Sequence, residues 1–530
     1  MKMLRKNHLF LLLFICFTVL LAACTPETAG TTPTAPATPQ PAGGTENTAA
    51  PASVPEELVI GFEADAATML ANTDVNYVTD IQIRNIYDPL IDRDEKGALI
   101  PVLATEWKNI DPLTWEFKLR QGVKFTNGEP FNAEAVKFNI DYILDEKNNS
   151  FYRSRWKDVK EVKVIDDQTV QVITSQPFPT LLLRIADDLL IMAPKHTKEV
   201  GLEKAATDPV GTGAYKFDKW TRDDSLKLVA NEEYWQGAPS IKRVTFRIIP
   251  EFSARLSAFL GGEIHLFKNV PVDSVERVKS SENGKIELVG SSRINYLALN
   301  TFYEGPLKDK RVRQALNYAI DVDELLKSVL NGNGTKMTGP LSKVNADYTE
   351  TKDYGYDPDK AVALLKEAGI DPKTLKLTLD TPNGRYPMDT HVAQAIASQL
   401  QRIGIQVTVQ ANEWGNHLAK IRQHEMKDMF ILGWGPAFDA QGTIENLFTE
   451  KAPYSGFYDK DVEAMIQKAL PIFDPAERKK AFDELQHRLV EEAAWVPLWQ
   501  QGDLYAVAKN LQFAPRPDEK FLVFEMKWGQ

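Results

Sequence analysis

Residues 375–409, LKLTLDTPNGRYPMDTHVAQAIASQLQRIGIQVTV, decide the class of fold. Leu375, Leu377 and Leu379 alternate with polar neighbours, the period of a strand with one buried face. From about Met388 the apolar positions change to helical spacing, at Val392, Ile396, Leu400 and Ile403, and Gly404 stops the helix. Ile405, Val407 and Val409 then return to period two. A strand, a helix and a strand at this spacing predict parallel pairing with a right-handed crossover, and so an α/β sheet.

Just downstream, Met429-Phe-Ile-Leu432 reads as a further buried strand. Ligands of open α/β sheets lie beyond the carboxyl ends of parallel strands, which singles out two loops. One is Thr381–Tyr386, with Arg385 and Tyr386; the other runs from Gly433 through Trp434 and Asp439 to Phe448. An arginine grips a carboxylate through paired hydrogen bonds, an aspartate receives an ammonium, and Trp434 and Tyr386 can wall the space between. A zwitterion such as a short peptide suits this set. The alternative reading of Arg385 and Asp439 is as solvated loop charges.

The other elements are read in the same way. Upstream, Leu58–Phe62 is a short apolar strand, and Trp115, Phe117 and Leu119 alternate as another. Asn132 caps a helix striped by Val136, Ile140, Ile143 and Leu144, and the valines at 162, 164, 170 and 172 flank a hairpin turn at Asp166-Asp167. Val244, Phe246 and Ile248 share a strand face, and Ser253–Leu260 is a helix stopped by Gly261-Gly262. After about residue 300 helices dominate, with Asp309 and Asp357 as N-caps and a long amphipathic helix over 475–491. Gly332–Lys336 reads as a flexible glycine turn, and the acidic pairs Asp187-Asp188, Glu232-Glu233 and Glu491-Glu492 as solvated faces.

The chain begins with Lys2, Arg5 and Lys6, then an apolar run from Leu9 to Phe17, then Leu21-Ala-Ala-Cys24. That order is a secretory signal over residues 1–23. Residues 24–55 are Thr, Pro, Ala and Gly with little to bury, so a disordered, extended linker is expected. Removing the three signal cations from the 62 Lys and Arg leaves 59 against 73 Asp and Glu, about −14, and no basic cluster. Nucleic acid is therefore not expected as a partner. The two cysteines, Cys16 and Cys24, leave none for an internal disulfide, a catalytic thiol or a zinc site.

No catalytic constellation stands out. The chain has no Gly-x-Ser-x-Gly elbow, His424-Glu425 lacks the second histidine of a zinc helix, and the histidines after the signal are dispersed. Neither catalysis nor a metal or other cofactor is expected.

Longer segments carry a resemblance. Ala104–Trp107 with Leu113–Gly128, Asp208–Phe217, Asn231–Gly237, Lys310–Asp321, Tyr356–Pro358 with Leu364–Gly369, and Asp474–Arg478 occur in an order that resembles bacterial extracellular solute-binding proteins of the peptide/nickel class, family 5. These serve ATP-binding-cassette (ABC) importers. The resemblance implies an α/β, two-lobed periplasmic-binding-protein-like fold (class II, large) with an extra subdomain in the first lobe. Lobe I would take residues 56–85, 206–297 and 500–530, the subdomain 86–205, and lobe II 298–499. The crossings would act as hinges, and closure would present the ligand to permease subunits. The chain would be a monomer. Leu21–Cys24 resembles a lipobox, which implies lipidation at Cys24 and anchorage to the outer face of the cell membrane. Asn383-Gly384-Arg385 is similar to a loop whose arginine meets a ligand carboxylate. Asp439 is the match for an acid that meets the ligand ammonium, although Asp439-Ala440-Gln441 departs from the family's Asp-Pro-Asp. Short peptides are the expected ligand. Alternatives are a nickel chelate, a sugar or another small solute, or delivery of a ligand to a membrane sensor.

Overall fold

The computed structural model describes residues 55–74, 77–345, 347–435 and 438–529. The signal, Cys24 and nearly all of the linker lie outside the described residues.

The 375–409 segment folds as its periodicity predicts. The strands Lys376–Pro382 and Gln406–Asn412 pair in parallel, Leu377 opposite Val407 and Leu379 opposite Val409, with the helix Asp389–Arg402 between them in sequence. Val392, Ile396 and Leu400 are fully buried against the sheet, each worth ~1.5–3 kcal/mol of removed apolar surface. Gly404 sits at φ +98°, the left-handed conformation that ends the helix cheaply only in glycine.

Among the described residues this unit forms one end of an eleven-stranded mixed sheet. From that end the order is Gln406–Asn412, Lys376–Pro382, Met429–Trp434, Gly284–Leu299, Trp495–Ala508, Leu266–Lys268, Glu57–Phe62, Arg243–Ile248, Ser225–Ala230 and Tyr215–Thr221, with Gly334–Lys336 added beside Trp495–Ala508. Two long antiparallel strands, Gly284–Leu299 and Trp495–Ala508, run through the middle and tie the two halves together. Their register shifts between Gly290 and Ile294 and again at Asn295, and a bulge of this kind bends and twists a strand. Beyond the bulge the strand is buried on both faces. Leu297 and Leu299 enter one apolar cluster, and Ile294, Tyr296 and Ala298 the cluster on the opposite face.

A separate antiparallel sheet orders Ala104–Asp111, Thr114–Leu119, Thr169–Thr174 and Val159–Asp166. The helix Ala133–Leu144 packs on it, and Phe117, Val136, Ile140, Trp156 and Val170 share its core. The expected caps are in place: Asn132, Asp309 and Asp357 each accept from a backbone N–H two or three residues on, and Asp474 caps the helix Pro475–Glu491 in the same way.

Two sequence readings are corrected. Gly334–Lys336 is no free turn but a short strand hydrogen-bonded opposite Gln501–Trp499. Of the acidic pairs, Glu232 and Glu233 are exposed, but Asp188 is buried against Trp156 and Arg155, and Glu492 against Arg488, Lys310 and Arg313. Their cationic partners come from other segments or from the preceding helical turn.

Candidate functional site

Lys376–Pro382 and Met429–Trp434 pair in parallel, so both candidate loops leave the sheet at its carboxyl edge. The first is shaped by one buried carboxylate. Asp389 accepts from the backbone N–H groups of Gly384 (3.1 Å), Arg385 (2.9 Å), Tyr386 (3.2 Å) and Thr390 (2.8 Å). Gly384 takes φ +77°, which frees the turn to wrap around that carboxylate. Arg385 is thereby held with its guanidinium among three rings: Tyr386 and Trp414, each 5.2 Å from its central carbon, and Tyr77 at 5.8 Å. It is half-buried, and among the described residues no group accepts a hydrogen bond from it and no carboxylate lies within 4 Å.

Tyr386 is buried and donates its hydroxyl hydrogen bond to the Gly433 carbonyl at 3.1 Å, which fastens the first loop to the second. Gly433 must lack a side chain here: a Cβ would stand 2.6 Å from the Tyr386 ring and 3.0 Å from Asn295. Trp434, half-buried, packs on Tyr454 with ring centroids 5.4 Å apart. Asp439 is buried and is the N-cap of the helix Ala440–Phe448, accepting from the Gly442 N–H at 2.5 Å. Its charged neighbours are of both signs, the Arg184 guanidinium and the Asp347 carboxylate among them. Burial acts to lower the Arg184 pKa, but the charges of Asp439, Asp188 and Asp187 raise it above the usual value. The helix that Asp439 caps turns Gln441 and Glu445 to a cavity of about 550 Å3, lined on the other side by Phe178 and Arg184. So Arg385 and Tyr386 come together, whereas among the described residues Trp434 and Asp439 share no hydrogen bond, ion pair or ring contact with either.

Several residues escaped sequence reasoning. Tyr77 opens the helix Tyr77–Ile83 in the other half of the sheet and faces Arg385. Its hydroxyl hydrogen-bonds the Glu63 carboxylate, just past the strand Glu57–Phe62; burial and then Glu63 push the phenol pKa well up. Beneath it, Lys268 pairs with Asp503 (3.1 Å) and Glu519 (2.6 Å), and Arg293 with Glu519 (3.2 Å), all four at most 6% exposed. Burial alone would raise the Glu519 pKa; the Arg293 and Lys268 charges outweigh it and hold the carboxyl well below its usual range. Asp503, for which burial outweighs Lys268, is shifted up. Arg293 lies in the bulge of the central strand, so the cluster sits where the two halves of the sheet join.

Two of the histidines have structural partners. His265 Nδ1 accepts from the Val59 N–H at 3.0 Å, and His417 Nε2 bonds the Ile431 carbonyl at 2.9 Å. Among the described residues no group of three or more His, Cys, Asp or Glu is placed to hold a metal ion.

Comparison with known proteins gives this arrangement a family. Residues 98–455 match the model of "Bacterial extracellular solute-binding proteins, family 5 Middle". The glutathione-binding protein GsiB of Escherichia coli O1:K1 is 30% identical over 492 residues, covering 88% of this chain and 93% of that protein. Among solved structures, the ABC transporter substrate-binding protein CtaP of Listeria monocytogenes superposes with a TM-score of 0.82 at 25% identity, over 89% of this chain and 99% of that one. The periplasmic binding protein DppA of Helicobacter pylori, in complex with the peptide STSA, gives 0.76 at 26% identity, over 89% and 98%. These relatives bind solutes and are not enzymes, and they share the mixed α/β, two-lobed architecture. The chain belongs to the bacterial extracellular solute-binding proteins of family 5, the exported substrate-binding components of ABC transporters.

Proposed function

We propose that this protein captures short peptides between its two lobes and hands them to the permease subunits of an ABC importer. The observation that carries the peptide reading is Arg385: a guanidinium held by its loop, ringed by aromatic side chains and, among the described residues, left without an acceptor. A planar donor fork in that state suits a carboxylate. Micromolar affinity needs ~8 kcal/mol. Hydrogen bonds to a charged carboxylate contribute ~1.5–3 kcal/mol each, the more so when closure excludes water. In this reading lobe I comprises 56–85, 206–297 and 500–530, the subdomain 86–205 and lobe II 298–499. The strands that cross near Arg293 are the hinge.

The test is a thermal-shift screen of the protein against dipeptides to tetrapeptides, glutathione, nickel–histidine and sugars, with mass spectrometry of whatever co-purifies. Peptides alone should raise the melting temperature in proportion to the logarithm of their concentration. Stabilisation by a sugar or the metal chelate, with none by peptides, would refute the peptide reading. We further propose that the chain acts as a monomer held to the membrane by lipid on Cys24, with residues 25–55 as tether. Cys24→Ser should then release it in soluble form with its ligand affinity intact; retention at the membrane would refute the anchor.

A further inference from the structure

Building on the two-lobe reading, we infer that Phe438 and Phe473 form a clasp: two phenyl rings of lobe II that dock on the subdomain and set the balance between open and closed forms, through contacts that involve neither Arg385 nor the rings around it. The observation is where these rings go. Among the described residues neither belongs to the apolar clusters that fill lobe II. Both meet residues of 86–205 instead. Phe438 is buried, with its ring centroid 5.2 Å from the central carbon of the Arg93 guanidinium. Gly97 lies against the same ring, so closely that a Cβ there would stand 3.0 Å from it. Phe473 packs on Trp115 with ring centroids 6.0 Å apart, and Trp115 is itself seated on the core of the subdomain.

Arg93 is prepared for its ring. Asp187 accepts from its Nε and one terminal nitrogen through two 3.0 Å hydrogen bonds, and the Gly97 carbonyl accepts from the other terminal nitrogen at 3.3 Å. With the edges of the guanidinium committed, its flat face is what remains for Phe438.

The rest of this boundary is not a packed core. Gln441, Glu445 and Leu470 of lobe II face Phe178 and Arg184 of the subdomain across the cavity of about 550 Å3. Surfaces joined by two ring contacts beside a space of that size can part without opening a hydrophobic core, while the strands Gly284–Leu299 and Trp495–Ala508 keep the lobes connected. Each ring contact changes the ratio of closed to open forms only several-fold, and the two together about tenfold. A ligand moves such a balance by its preference for one form, and because it leaves through the open form, the clasp lengthens its stay.

Double electron–electron resonance between spin labels at Lys163→Cys and Lys480→Cys, both exposed, one on the subdomain and one on lobe II, tests this in the full chain without ligand. With Cys16→Ser and Cys24→Ser no other thiol is present. Phe438→Ala and Phe473→Ala should each move the distance distribution to longer separations, and the double variant should lower the closed-to-open ratio about tenfold. Gly97→Asn, which suits the left-handed backbone (φ +83°) but crowds Phe438 from the subdomain side, should act as Phe438→Ala does. Urea unfolding shows which variants are folded; if the double variant is not, Phe473→Ala, at a half-buried loop position, decides alone. A folded variant that loses stability but keeps the wild-type distance distribution overturns the inference, since the rings would then be a fixed part of the fold. The readout needs no peptide, so failure of peptides to bind overturns the peptide reading and leaves the clasp standing.

Discussion

Replacing Arg385 with alanine isolates the group on which peptide capture rests. The loop should survive, because its shape is set by the Asp389 carboxylate on backbone N–H groups that alanine keeps. What is lost in the free protein is the packing of a half-exposed guanidinium on three rings, ~1 kcal/mol or less of folding stability. What is lost on binding is larger. A two-pronged, charge-assisted contact to a carboxylate, shielded by Tyr77, Tyr386 and Trp414, should cost about 3 kcal/mol, or more than a hundredfold in Kd. Arg385→Lys keeps the charge but not the fork, so it should recover only part of that. Calorimetric titration with a dipeptide gives the affinities, and thermal unfolding without ligand shows that the fold is intact. If Arg385→Ala binds the dipeptide as the wild type does, the carboxylate is held elsewhere and the reasoning fails.

Other perturbations test the supports of the site. Asp389→Ala strands four backbone N–H groups, three of them in the loop, so dipeptide affinity should fall at least tenfold in calorimetry although Asp389 itself reaches no ligand. Gly433→Ala drives a methyl group into the Tyr386 ring; it should weaken binding and lower the melting temperature, and an unchanged Kd would count against a role for Tyr386. Glu519→Gln leaves Lys268 and Arg293 buried with half their counter-charge, and should cost ~3–5 kcal/mol in urea unfolding. Asp187 supplies a pH test. Burial acts to raise its pKa, but Arg93, bound through two 3.0 Å hydrogen bonds, brings it down to about 2. A carboxyl depressed on folding stabilises above its unfolded value near 4, and that contribution disappears as pH falls from about 4 to about 2. The stability gap between wild type and Asp187→Asn, measured by urea unfolding at pH 6, 4 and 3, should therefore narrow as pH falls.

The elements of this protein were legible in its sequence because their causes are local. The period-two leucines at 375–379, the helical stripe from Val392 to Leu400 and the caps at Asn132, Asp309 and Asp357 each involve residues within one or two turns of chain. The same rule reached the site's loop: a parallel strand pair exposes its carboxyl edge, and Arg385 follows one such strand. The role of Asp439 as a helix cap was legible too, from an aspartate three residues before the Gly442 N–H, but the motif drew attention to its charge instead.

Which charges remain available to a ligand was a tertiary decision. Lys268 meets Asp503 and Glu519, and Arg293 meets Glu519, from segments more than two hundred residues apart. Arg385 finds Tyr77, and through it Glu63, only because the two halves of one sheet face each other. A charge in a sequence has no partner until the chain is folded. Coulombic pairing depends on distance through space and on burial, and neither is encoded in the neighbours of a single residue.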